Sequence, residues 1–167
     1  MKKLLFTIGV VLTLSLANAQ TAPDYSKYPL DTEANIKKAN DAALQTANYV
    51  LGTPINKDPQ QRLEALQFLL MWMQGTPDYS FAIDNTFSLV GEDQQMMGLY
   101  LAAMIKHQVD NKIKQGGPDV SVATLKTIAE YIDNPAHNAK ATGELKKMVE
   151  ANKAGKLKEF VEKMNKE

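Results

Sequence analysis

The residues of this chain best suited to chemistry lie along one predicted helix, around the first of its two histidines. His107 has Tyr100 two helical turns before it and Asp110 one turn after it. A His-x-x-Asp pair on one helical face can supply two ligands to a metal ion, but such a site needs a third and a fourth. No further histidine or carboxylate pair has the required spacing. We therefore favour a histidine at the edge of an apolar face, and keep His107, Asp110 and Tyr100 as the candidate site if the protein is an enzyme.

A second candidate is the run Met71-Trp72-Met73. Thioethers favour Cu(I), and the face of a Trp ring can cover a cation, so these residues could bind copper. Neighbouring side chains on a helix diverge by about 100°, however, and Met and Trp at helical spacing typically fill a core. We keep copper binding as an alternative function, and predict no metal and no cofactor.

The sequence carries no other catalytic signature. It has no cysteine, which excludes cysteine nucleophiles, disulfides and thiolate metal sites. No serine stands in a Gly-x-Ser-x-Gly elbow, no Glu-x-x-His pair typical of di-metal bundles is present, and no glycine-rich phosphate loop follows a strand. Because no catalytic motif is present, the sequence indicates no reaction class, and we favour a non-catalytic role.

The N-terminus has the three parts of a secretory signal peptide. A basic Met1-Lys2-Lys3 precedes an apolar run at residues 4–16, and Ala17-Asn18-Ala19 is typical of a cleavage site. The run is shorter than the ~20 residues of a membrane-spanning helix, although a retained membrane anchor is the alternative. We expect residues 1–19 to be removed after Ala19 and the mature chain to be exported, to the periplasm or the outside.

The charge of the mature chain is nearly balanced. Lysine and arginine number 19, as do the acidic residues, and losing Lys2 and Lys3 leaves a net charge of −2. Such a balance provides no attraction to nucleic acid or to an anionic membrane. Residues 140–167 hold eight Lys and five Glu, a pattern typical of solvated helix faces. We predict no nucleic-acid partner and no membrane association after signal cleavage.

The stretch from Asp58 to Gly75 predicts a helix with both ends marked. The Asp58 carboxylate can cap the free N–H groups of the first turn, Pro59 suits the first helical position, and Gly75 suits the left-handed conformation that ends a helix. On a helical wheel the apolar side chains cover roughly 220°, against ~100° for an ordinary surface helix. A helix apolar on two flanks needs cover on both, so we predict that residues 59–74 form the central helix of the fold.

Hydrophobic periodicity predicts an all-α fold, a single irregular bundle of five main helices and one or two short ones. An extended arm at residues 20–31 leads into a helical domain at residues 32–167. An Ala-rich helix at 32–51 should form an antiparallel hairpin with the central helix. A short helix beginning at Pro77 and an ordered loop should fill residues 76–91. The other predicted helices lie at about 91–115, at 119–133, around 145–149 and at 157–164.

The central helix and the segment after it hold a surplus of large apolar side chains. If folding leaves part of this surplus exposed, the resulting patch marks a binding surface. We therefore predict a non-catalytic interaction module for a protein partner or an apolar ligand, with a second copy of the chain among the candidate partners. Met71, on the polar strip of the helix, is the expected exposed anchor. The predicted binding residues are Met71, Trp72, Tyr79, Phe81 and Phe87.

Overall fold

The computed structural model describes residues 21–91 and 93–166. These residues form an all-α bundle, which confirms the predicted fold class. No helix among them is long and apolar enough to cross a bilayer, and the predicted signal peptide lies outside them. The α-helices are α1 Glu33–Lys38, α2 Asn40–Gly52, α3 Pro59–Gly75, α4 Gln94–Asp110, α5 Pro118–Asp133, α6 Gly143–Lys153 and α7 Leu157–Met164; short 3-10 helices lie at Tyr25–Lys27, Asn85–Val90 and Pro135–His137.

The single helix predicted at 32–51 is wrong, because the chain forms two helices there. The N–H of Ala39 is shared between the carbonyls of Asn35 and Ile36, at 3.2 and 3.0 Å, and this tight turn separates α1 from α2. The turn lets Ile36 reach the end of α3, where a Cβ added to Gly75 would collide with the Ile36 side chain. Helix α2 contacts α3, as the predicted hairpin requires, but packs most extensively against α4.

Helix α4 lies nearest the centre of the bundle. It packs against α2, α3 and α5, and it buries most of its side chains, Leu99 and Ile105 completely. Helix α3, predicted to be central, packs against α1, α2 and α4. It buries Trp72 completely but leaves Leu70 and Met71 exposed by 40% and 56%. One apolar flank of α3 is therefore left partly open.

The ends of α3 lie close to their predicted positions, but the predicted capping hydrogen bond is absent. Asp58 occupies the N-cap position in a left-handed conformation, with φ 45°, and its carboxylate caps no N–H group. Asp tolerates this conformation better than most residues, and Pro59, which has no N–H to satisfy, follows it. The helix therefore begins where predicted, for only one of the two predicted reasons.

Helix α4 ends at Asp110, earlier than predicted, because the chain then turns through Lys112, which has φ 55°. The residues beyond the turn pair with the segment that follows α3. The Ser80 N–H donates to the Lys114 carbonyl, and the Ser80 carbonyl accepts from the Gly116 N–H, both at 2.8 Å. Two connecting segments distant in sequence thus hold each other in place on the surface of the bundle.

The short helix predicted from Pro77 is absent, because residues around Ser80 are extended for this pairing. A 3-10 helix forms at Asn85–Val90 instead, with Asp84 as its N-cap. The Asp84 carboxylate accepts hydrogen bonds from the Thr86 N–H at 3.0 Å, from the Ser121 hydroxyl on α5 at 2.7 Å and from the Asn165 side-chain amide after α7 at 2.8 Å. Partial burial raises the pKa of Asp84, but these hydrogen bonds, together with one from the Thr86 hydroxyl, lower it by more, so that its pKa lies below the ordinary value.

Candidate binding groove

A groove of about 530 Å³ opens between the exposed flank of α3, the first half of α4 and the segment between these helices. Its volume is within the ~300–1,000 Å³ typical of small-molecule sites. No charged residue of the described chain lines it. The apolar lining residues are Leu66, Leu70, Met73, Tyr79, Phe81, Ile83, Phe87, Met97 and Leu101, and the polar ones are Gln74, Thr76 and Ser80.

The predicted binding residue Trp72 supports one wall of the groove from beneath. Its ring centroid lies 6.0 Å from that of Tyr79 and 5.7 Å from that of Phe81. The indole N–H donates to Asn40 Oδ1 at 3.1 Å, and Asn40 in turn donates to Asp78 at 2.7 Å. Trp72 therefore fixes the two rings that line the groove, without lining it.

Tyr79, in the same wall of the groove, is also held in place by Lys114. The Lys114 ammonium lies 4.5 Å from the Tyr79 ring centroid, in the range of a cation–π contact. Burial raises the pKa of the Tyr79 hydroxyl, and the nearby Asp78 carboxylate raises it further. Beside this wall, a Cβ added to Gly116 would lie 2.7 Å from the Ala82 backbone nitrogen, so the close approach of the two segments requires glycine.

Phe87 forms the opposite wall and packs against α4. Its ring meets the Tyr100 ring edge-on, with centroids 5.1 Å apart. The Tyr100 side chain is fully buried, and its hydroxyl shares a 2.9 Å hydrogen bond with Thr86. Burial raises the pKa of Tyr100, and the charge of Asp84 adds to the effect while the bond to Thr86 opposes it. Tyr100 thus positions Phe87.

The mouth of the groove is apolar. Leu70 and Ile83 are exposed by 40% and 51%, although each is large enough that burial would stabilise it. Phe81 and Phe87 are half-buried and also line the groove. Exposed apolar side chains that gather around a concave surface are typical of a binding site, whereas single scattered ones are ordinary.

Met71 is exposed, as predicted, but it does not reach this groove. It lines a second depression of about 420 Å³ together with Phe68, Tyr25 and Tyr28. Of the five predicted binding residues, Tyr79, Phe81 and Phe87 line the groove, Trp72 lies beneath it, and Met71 lies on another face of α3. Consecutive residues of a helix diverge by about 100°, so Leu70 and Met71 belong to different surfaces.

The candidate catalytic residues do not converge. Tyr100 is buried against Phe87. The His107 Nδ1 atom lies 3.4 Å from the Asn111 side-chain nitrogen, and Asp110 forms an exposed ion pair with Lys106 at 2.7 Å. Each residue therefore has a local partner, and no contact among the described residues joins the three.

The residues of the copper hypothesis are also apart. Met73 lines the groove and Met71 lines the second depression, while Trp72 is buried between neighbouring rings. Among the described residues, no cluster of three or more His, Cys, Asp or Glu side chains could hold a metal ion. The thioethers of Met71 and Met73 therefore lie on different surfaces and do not converge on one metal position.

The sequence carries no signal for two residues that shape the mouth of the groove, Leu70 and Ile83. The helical wheel places Leu70 on an apolar flank, but a wheel cannot show which element leaves that flank open. Comparison with protein families, with curated proteins and with solved structures finds no match to this chain.

Proposed function

We propose that this chain is a non-catalytic binding module whose groove accepts an uncharged, predominantly apolar small molecule. The observation that supports this most strongly is the uncharged lining with Leu70 and Ile83 exposed at its mouth. Fully burying such a side chain stabilises by ~1.5–3 kcal/mol. A ligand that covers these two half-exposed side chains therefore gains on the order of 1 kcal/mol from each.

The lining also determines the charge of the ligand. An ionised group in a groove without a countercharge loses its hydration and gains no partner, so we expect neutral molecules to bind in preference to anions or cations. Gln74 lies about 12 Å beyond Leu66 along α3, and Thr76 and Ser80, which follow the end of α3, line the groove with it. These side chains can pair with one hydroxyl or amide group of a ligand, which favours an elongated molecule with a single neutral polar end.

A neutral fluorescent probe, N-phenylnaphthylamine, tests this proposal, with two adjacent substitutions on α3 as a matched pair. Leu70→Glu places a charge at the mouth of the groove and should weaken probe binding by more than about tenfold, which corresponds to ~1.4 kcal/mol. Met71→Glu introduces the same charge on the other face of α3 and should leave the affinity unchanged. Energy transfer from Trp72, the single tryptophan, reports that the probe is bound to the protein, and the pair of substitutions assigns it to the groove.

Two results would contradict the proposal. The wild-type chain should give a saturable signal, and a signal that rises linearly with probe would mean that no defined site exists. Equal losses in Leu70→Glu and Met71→Glu would mean that the probe responds to net charge or to a different surface. Circular dichroism of both variants establishes that they are folded before the affinities are compared.

We also propose that the protein acts outside the cytoplasm. This rests on the basic, apolar and Ala-x-Ala parts of residues 1–19, which are typical of a cleaved signal. Mass spectrometry of the protein from its own cells should give a chain that begins at Gln20. A chain that begins at Met1 in a membrane fraction would contradict it.

A further inference from the structure

The N-terminal arm, residues 21–31, lies on α3 across the Leu70–Met71 ridge from the groove. Within the described residues, its hydrogen bonds and ion pairs remain inside the arm or end on the first turn of α1. Its contact with the bundle consists of side-chain packing. The Tyr25 ring stacks on Phe68 with centroids 4.7 Å apart, and the Tyr28 ring meets Phe68 edge-on at 6.4 Å.

One feature of this packing makes the arm easier to displace. The Tyr25 hydroxyl is buried and has no hydrogen-bond partner. It lies near Thr46, whose own hydroxyl donates to the Ala42 carbonyl at 2.7 Å, but without the geometry of a hydrogen bond. Burial raises the pKa of Tyr25 to about 12, and Thr46 only partly opposes this. A buried hydroxyl that loses its bonds to water and gains none costs free energy.

We propose that two copies of this chain pair by exchanging arms, so that the arm of each copy lies on α3 of the other. The exchanged arm makes the same Tyr25–Phe68 stack, so the surface that receives it is complementary by construction. Exchange of an identical element is a route to dimers that needs no new contact surface. This proposal does not depend on the ligand proposed for the groove.

The geometry of the arm permits the exchange. The eleven residues from Thr21 to Asp31 can extend to about 35 Å, and the chain bends at Asp31 and Thr32 where it joins α1. Among the hydrogen bonds of the described residues, none joins the arm to α2–α7, so none of these must break when the arm leaves. Beside the arm, Met71 lines the same depression and is 56% exposed, so bringing a second copy to this face covers an apolar side chain that the single chain leaves in water.

The absence of cysteine allows a direct test with two single-cysteine variants at exposed positions. Ser26→Cys on the arm carries a donor dye, and Gln67→Cys on α3, which lines the same depression, carries an acceptor on separate molecules. After mixing, energy transfer between chains should rise with protein concentration, together with the dimer fraction on a sizing column. An acceptor at Lys126→Cys, on the exposed face of α5, controls for dimers formed through other surfaces.

The variants Tyr25→Ala and Met71→Glu distinguish arm exchange from other association. Tyr25→Ala removes the stack and should abolish transfer between chains, while circular dichroism shows the bundle intact. Met71→Glu leaves the stack in place and should reduce the dimer fraction at a given concentration. The proposal fails if the wild-type chain remains monomeric at high concentration, if dimers form without transfer between positions 26 and 67, or if transfer survives Tyr25→Ala.

Discussion

Replacing Arg62, the single arginine of the chain, with alanine should lower the free energy of unfolding by about 3 kcal/mol, because alanine cannot make the hydrogen bonds of the guanidinium. The side chain is 3% exposed. Its guanidinium donates to Gln95 Oε1 on α4 at 2.7 Å, to the Val50 carbonyl of α2 at 3.0 Å and to Thr53 Oγ1 at 3.0 Å. Burial lowers the pKa of Arg62, and no carboxylate of the described chain forms an ion pair with it. Arg62 thus joins three helices through neutral acceptors.

The magnitude follows from opposing contributions. Three hydrogen bonds at ~1 kcal/mol net each give ~3 kcal/mol, and alanine also leaves a cavity and an unpaired carbonyl at Val50. Against this, the wild-type protein keeps a cation in a buried position without a countercharge, which is costly. The Thr53 carbonyl retains its 2.6 Å hydrogen bond from Tyr131 in the variant. Arg62→Met preserves much of the packing and removes the buried charge, so it should lose less, about 1–2 kcal/mol.

Urea unfolding followed by Trp72 emission measures both variants against wild type. With a slope of ~1–3 kcal/mol/M, a loss of ~3 kcal/mol moves the midpoint by about 1 M or more. The slope itself should not change, because a changed slope would signal a different unfolded state or a third state. A loss below ~1 kcal/mol for Arg62→Ala, or an Arg62→Met variant more stable than wild type, would show that the hydrogen bonds do not outweigh the buried charge.

Two further substitutions test the segment that borders the groove. Because the pKa of Asp84 is lowered in the folded protein, its stabilisation is present above the unfolded pKa of ~3.9 and lost as the pH falls through the lower folded value. Asp84→Asn should therefore be less stable than wild type near neutral pH, and urea midpoints should converge below about pH 4. Gly116→Ala should destabilise by ~1–3 kcal/mol and weaken probe binding, whereas Gly117→Ala, whose added Cβ meets no atom within 4 Å, should leave probe binding unchanged.

The predicted helices that match the structure carry local signals at their ends. Pro59 begins α3 as predicted, and α3 ends at Gly75, but Gly75 is its last helical residue and does not take the left-handed conformation predicted for it. Helices α5 and α7 lie within a residue or so of their predicted positions. The interruption at Ala39 has no such signal, since alanine is the residue that most favours a helix. It results from packing, because α1 contacts the end of α3 while α2 packs against α4.

In the candidate site, too, some residues could be predicted from the sequence and others could not. Tyr79, Phe81 and Phe87 could be selected from the sequence because large aromatic side chains concentrated after an apolar helix indicate either a core or a binding surface. The extended pairing of Ser80 with Gly116, which holds the segment carrying Tyr79 and Phe81, joins residues far apart in sequence and has no local pattern. The helical wheel separates Leu70 from Met71 by angle, but it does not show which neighbouring element packs beside each of them.

The ridge formed by Leu70 and Met71 separates the two proposed functions of α3. Leu70 lines the groove with Tyr79 and Phe81, while Met71 lines the arm depression with Phe68. If both proposals are correct, a charge at position 70 weakens probe binding and leaves pairing intact, whereas a charge at position 71 weakens pairing and leaves probe binding intact. The double variant should then show both losses without an additional one, because sites with no shared partners contribute independently. Loss of both properties from either single substitution would instead mean that the two surfaces act as one site.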